Sequence, residues 1–143
     1  MKYKSYKDLE IYKLAHQLAV EIHKITLTEL PKFELYEEGS QIRRSSIPIS
    51  ANIAEGFGKR RYKNEFIYFL TNALASCDET REHLNLLSET GSLKDPTRYT
   101  HFTERYEELG KRMTKFIQAV EKNHLGSKTS IEHQGSSIQS RGR

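Results

Sequence analysis

Between Asp8 and Asn123 the sequence offers a folding chain few places to stop. Pro31, Pro48 and Pro96, with Gly39, Gly56, Gly58, Gly91 and Gly110, are the breakers of that stretch, and they lie far apart. Uninterrupted segments of this length exceed ordinary strands, and long segments without breakers read as helices. Within them the apolar residues return every three or four positions, which places them on one helical face.

The first segment runs from Asp8, with Leu9, Tyr12, Ala15, Leu18, Ala19, Ile22 and Ile25 on one face and Lys13, Gln17, Glu21 and Lys24 off it. Asp8 is expected as its cap or first-turn anion, and Pro31 closes the connection that follows. The second segment, from about Tyr36 to Gly56, carries two stripes. Ile42, Ser46, Ile49, Ile53 and Phe57 form a bulky one, whereas Ile47, Ser50, Ala51, Ala54 and Gly58 form a small one beside it. Two such faces imply two neighbours, so Ile47, Ser50, Ala51 and Ala54 are expected at a close interface between helices or between protomers. Pro48 lies inside this helix, lacks an N–H and leaves the Arg44 carbonyl without its usual partner. A bend is expected there. The hydroxyl of Ser45 or Ser46 is expected to take up the freed carbonyl, and Asn52 to bond between helices.

The third segment begins near Asn64, a capping residue type, and carries Phe66, Phe69, Leu70, Ala73, Leu74, Cys77, Leu84 and Leu87 as far as Gly91, a C-terminal stop. The fourth opens on Asp95 and Pro96, the pairing that helices favour at N-cap and N1. Tyr99, Phe102, Tyr106, Leu109, Met113, Phe116, Ile117 and Val120 sustain it to about Asn123. Beyond lies HLGSKTSIEHQGSSIQSRGR, polar and without apolar period, which reads as a disordered tail. The expectation is all-α: an antiparallel up-down-up-down four-helix bundle over residues 1–123 and a disordered C-terminal tail over 124–143. A hydrophobic content of 36% against 29% charged residues suits narrow helical stripes better than a thick sheet core.

The single cysteine, Cys77, excludes an intrachain disulfide, and neither a long apolar run nor a signal pattern appears. A reducing, cytoplasmic setting away from membranes is expected. Several motifs invite chemistry and fail on its requirements. GFGK follows a helix instead of a strand and has Arg60 where a phosphate loop needs Ser or Thr for magnesium. Gly56 or Gly58 is better read as a left-handed helix end. His16 and His23 are two turns apart, about 10 Å, too far to share one ion. Cys77 sits beside Asp78 and Glu79, which raise a thiol pKa, so it reads as a small core residue. Glu104, Glu107 and Glu108 alternate with Arg105, Lys111 and Arg112 as a solvated face. No catalytic group, metal or cofactor is expected, and the chain is not expected to be an enzyme.

What remains is positive charge. Over residues 41–63 basic residues outnumber acidic ones six to one, as Arg43, Arg44, Lys59, Arg60, Arg61 and Lys63, while residues 64–98 are net acidic. With Tyr62 among them these bases fit phosphate contact and base stacking. Arg43 and Lys59 are about 24 Å apart along a straight helix, so one protomer would present two patches.

The stretches YKDLEIYKLAHQLAVEIHKIT, SQIRRSSIPISANIAEGFGKR and KNEFIYFLTNALASCDETREHL resemble the four-helix bundle proteins encoded in 23S rRNA intervening sequences. The resemblance spans roughly Tyr6 to Val120, and its most specific part is the order of Arg pair, Pro, Asn and Ala-Glu-Gly. It implies a small antiparallel bundle assembled as a homo-oligomer, often a homopentameric ring, without enzymatic activity. Relatives include the accessory variability protein of diversity-generating retroelements, a basic pentamer that associates with a reverse transcriptase and with nucleic acid. RNA or DNA, and a reverse transcriptase, are therefore the partners implied. The rival reading is a purely structural or adaptor bundle whose bases pair with a neighbour's carboxylates.

Overall fold

The structure, a computed structural model, describes residues 3–123, so the tail expected over 124–143 lies outside the described residues. Four helices carry the apolar stripes: α1 (Glu10–Thr28), α2 (Glu38–Gly58), α3 (Lys63–Glu89) and α4 (Pro96–Asn123). Two short 3-10 turns, Tyr6–Asp8 and Lys32–Leu35, precede α1 and α2.

Each helix packs on the next, and α4 closes back on α1. Polar cross-links fix the directions. Arg98, at the start of α4, holds Glu29, just past the end of α1, through Nε at 3.0 Å and Nη2 at 2.7 Å. Glu38 at the start of α2 meets His83 near the end of α3 at 2.6 Å. The hydroxyl of Tyr99 early in α4 donates to Asn85 late in α3 at 2.8 Å. Neighbours therefore run antiparallel, which is the up-down-up-down bundle that the breaks and periods predict.

The core gathers the predicted stripes: Leu18 and Ile22 of α1, Ile42, Ile49 and Ile53 of α2, Phe66, Leu70 and Leu84 of α3, and Phe102, Tyr106 and Met113 of α4 are all buried. Cys77 is buried among them, and burial, with Asp78 adding to it, pushes its thiol up to about 12. Burial also pushes the Tyr106 phenol up from its ordinary value. Gly91, at φ +86°, ends α3 in the left-handed region that suits glycine. Asp95 accepts the Thr97 N–H at 2.9 Å and Pro96 opens α4, as the sequence predicts.

Several local expectations fail, each for a physical reason. Asp8 does not start α1. Its carboxylate accepts the N–H groups of Lys4 and Ser5, closing a capping box around the 3-10 turn, and α1 begins at Glu10 behind Leu9. Asn64 is inside α3, whose N-cap position is Tyr62. Gly56 and Gly58 are helical instead of left-handed. A Cβ on Gly56 would lie 3.0 Å from the Phe69 Cβ, so this glycine serves the close approach of α3 and not a turn.

Helix α2 continues through Pro48. The hydroxyls of Ser45 and Ser46 lie 3.2 Å from the Ile42 and Arg43 carbonyls, and not on the Arg44 carbonyl freed by proline. A helical serine reaches back three or four residues, so residue 44 is out of range for both. Ser45 instead serves the α2–α3 seam, with Thr80 Oγ1 2.8 Å from its hydroxyl. The small stripe is not inside the bundle. Ile47 is 56% exposed, Ala51 is exposed, and Ser50 and Ala54 are half-buried.

Candidate nucleic-acid interface

The α2–α3 turn places four of the six predicted bases together. Helix α2 ends at Gly58, and the Lys59 N–H bonds back to the Glu55 and Gly56 carbonyls at 3.2 and 3.0 Å. Bases are favoured here because a helix C-terminus carries partial negative charge. The Arg60 guanidinium folds back over the Phe57 ring, 3.9 Å from its centroid, and donates to the Phe57 carbonyl at 2.8 Å. Lys59 lies 5.2 Å from the Phe69 ring centroid and 3.9 Å from a Glu65 carboxylate oxygen. Arg61 is exposed, Tyr62 is 60% exposed, and Lys63 is half-buried in the first turn of α3.

Two bases stand apart from this turn. Arg43 points inward, its Nη2 donating to the Leu35 carbonyl at 2.8 Å, while its Nη1 is buried without a hydrogen-bond partner among the described residues. Arg44 is exposed on the outer side of α2, about four turns from Lys59. Arg43 thus braces the connection before α2, and Arg44 is the exposed member of that pair.

The sequence reading missed bases that antiparallel packing adds to the α2–α3 turn. The start of α1 and the end of α4 lie at the same end of the bundle. The 3-10 turn before α1 packs on α2, and Phe66 at the start of α3 contacts Phe116 near the end of α4, with ring centroids 5.9 Å apart. Lys4, Lys7, Lys115 and Lys122 therefore share an end with Lys59 to Lys63. Among residues 3–13, 55–68 and 115–123, bases outnumber acids nine to five. At the opposite end, among residues 24–41 and 82–98, acids outnumber bases seven to four. Fold topology was the missing signal, since no local motif joins these segments.

Several carboxylates at and near the acidic end are held by partners within the bundle. Glu34 is buried and accepts the Gly39 N–H at 2.9 Å and the Ser92 hydroxyl at 2.5 Å. His83 bridges Glu38 and Glu79, and His101 meets Glu21 at 2.8 Å. Among the described residues no three His, Cys, Asp or Glu side chains converge to hold a metal ion. Among them, too, no helix is long and apolar enough to cross a membrane.

Residues 7–115 match the family described as 23S rRNA-intervening sequence protein. The chain belongs to that family. Among solved structures, the chain is similar to a protein of unknown function from the S23 ribosomal protein family of Bacteroides thetaiotaomicron. The two share 25% identity with a TM-score of 0.69, over 76% of this chain and 95% of that one. No curated protein matches the chain. The match to this intervening-sequence family covers all of the first three helices and most of α4, so the α2–α3 turn lies in the matched part, whereas Lys4 and Lys122 lie outside it.

Proposed function

We propose that this intervening-sequence family member is a non-enzymatic, oligomeric accessory or scaffold protein that holds nucleic acid at the basic end of its bundle. The observation carrying this reading is the turn Lys59–Tyr62, where exposed Arg61 and Tyr62 lead into α3, a helix start with no side-chain cap. Uncapped N–H groups at a helix N-terminus favour phosphate, neighbouring bases neutralise it, and an exposed tyrosine ring stacks on a splayed base. Single-stranded RNA of the intervening-sequence kind is the ligand class that fits best. A reverse transcriptase that works on such strands is the protein partner the same charge pattern allows.

Fluorescence anisotropy of a labelled single-stranded RNA at low salt tests it. The wild type binds, and Lys59→Ala/Arg60→Ala/Arg61→Ala loses most of the affinity. Equal affinity for both proteins, or none for either, defeats the proposal. A structural adaptor is the second reading, favoured by the contacts Lys59 and Arg60 already make to Glu65 and Phe57. That reading predicts an oligomer mass that depends on salt without any nucleic-acid binding.

A further inference from the structure

The turn between α1 and α2 is fixed from several sides. Its 3-10 turn is closed by the Glu34 N–H on the Pro31 carbonyl at 2.9 Å and the Tyr36 N–H on the Phe33 carbonyl at 3.1 Å. The buried Glu34 carboxylate ties it to Gly39 and Ser92, and Arg43 donates to the Leu35 carbonyl. On these anchors the turn displays Phe33, 59% exposed, and Tyr36, 83% exposed. Residues three apart in a 3-10 turn eclipse one another, so both side chains leave the protein on the same side. Exposed apolar residues scattered singly need no account, but two rings on one side of a braced turn do. A turn already fixed has little ordering left to lose on binding, and large aromatic side chains are the usual anchors of an interface.

Two kinds of partner stack on exposed rings, unpaired nucleobases and cations. Charge separates them here. Glu37 directly follows Tyr36 and is exposed, as are Glu89 and Asp95 at the same end, where acids outnumber bases seven to four. Lys32, exposed before Phe33, is outweighed by them. A nucleobase carries its phosphate into that field and is repelled, whereas a cation over the ring faces is drawn in by it. We propose that Phe33 and Tyr36 dock a basic segment of a partner protein, whose arginine side chains lie over the two rings and beside Glu37. Arginine suits this site better than lysine, because its planar guanidinium stacks on a ring and is more weakly hydrated. Helix α2, with 21 residues and about 30 Å long, separates the pair from the basic end, so this surface is distinct from the one that holds nucleic acid and does not depend on it.

The probe is a short labelled peptide of alternating Arg and Gly, with Lys–Gly and Glu–Gly peptides of equal length beside it. With the full chain at low salt, the Arg peptide should bind, the Lys peptide more weakly and the Glu peptide not at this turn. The Arg peptide should also shift the ring proton signals of Phe33 and Tyr36. Phe33→Ala/Tyr36→Ala should lower its affinity about tenfold, with circular dichroism and melting unchanged. Tyr36→Phe should keep the affinity, whereas Tyr36→Leu, apolar but without a ring face, should lose it as Tyr36→Ala does. If the double variant fails to fold, Glu37→Arg replaces it and should weaken the Arg peptide by charge alone. Lys59→Ala/Arg60→Ala/Arg61→Ala should bind the peptide as wild type does, which keeps this contact separable from RNA binding.

Equal peptide affinity for wild type and the double variant, unmoved ring signals, or full affinity in Tyr36→Leu overturns the proposal. RNA affinity that falls in the double variant assigns the rings to a nucleobase, and an oligomer mass that falls in it assigns them to a second copy; either overturns it. A peptide that binds only after deletion of residues 124–143 assigns the rings to the chain's own tail and overturns a separate partner.

Discussion

Replacing Glu34 by alanine should be among the costliest single changes at the acidic end. The residue is 3% exposed, and its carboxylate ties three connections together, from its own 3-10 turn to the first turn of α2 through Gly39 and to the α3–α4 loop through Ser92. Gly39 is glycine because a Cβ there would press on the Glu34 carbonyl oxygen. Hydrogen bonds to charged groups contribute about 1.5–3 kcal/mol each, so loss of two, eased by water entering the space, gives about 3 kcal/mol. For a chain of this size that lowers the melting midpoint by roughly 10 °C.

Glu34→Gln separates the hydrogen-bond account from simple loss of volume. Its amide oxygen can still accept the Gly39 N–H, and the Ser92 hydroxyl can rotate to accept from the amide nitrogen, so the cost falls to about 1 kcal/mol. Urea unfolding at unchanged slope measures both variants, and exchange of the Gly39 amide reports the local bond. A Glu34→Ala variant within about 0.5 kcal/mol of wild type, or a Gln variant as costly as Ala, would refute the reasoning.

Three further outcomes are expected. Gly56→Val forces a branched side chain against Phe69 and Phe66, and should destabilise by about 2 kcal/mol or more, read by thermal melting. With its thiol pushed up to about 12 in the core, Cys77 should resist an aromatic disulfide reagent at pH 8 in the native protein and react at once in denaturant. The N–H groups of Lys4 and Ser5 hold the Asp8 carboxyl below its ordinary value. Its contribution is therefore present above the unfolded carboxylate pKa and lost as pH falls through the lowered folded value. Carbon-detected titration should show that lowered midpoint, and Asp8→Asn should flatten that part of the acid limb.

Helix number, order and inward faces were legible because a period of three to four survives any tertiary context. The stop at Gly91 and the Asp95–Pro96 start were equally plain, since each rests on one residue's backbone chemistry. Gly56 misled because a glycine near a helix end serves both as a left-handed stop and as a place for a neighbour to approach, and sequence alone does not distinguish them. The second face of α2 was read correctly as small, yet its outward direction depended on where α1 and α3 pack. Arg43 looked like half of a basic pair, but it turns inward and its Nη2 donates to the Leu35 carbonyl. The charge polarity between the two ends was hidden because it sums segments that only the antiparallel fold brings together.

Salt dependence of RNA binding measures the central claim most directly. For single strands the logarithm of affinity falls with the logarithm of salt by about 0.7 per phosphate neutralised. Lys59→Ala/Arg60→Ala/Arg61→Ala should therefore reduce the slope by about 2, whereas Lys32→Ala/Lys94→Ala at the acidic end should leave it unchanged. Equal slopes for wild type and the triple variant, or an equal loss from the acidic-end variant, would contradict binding at the basic end.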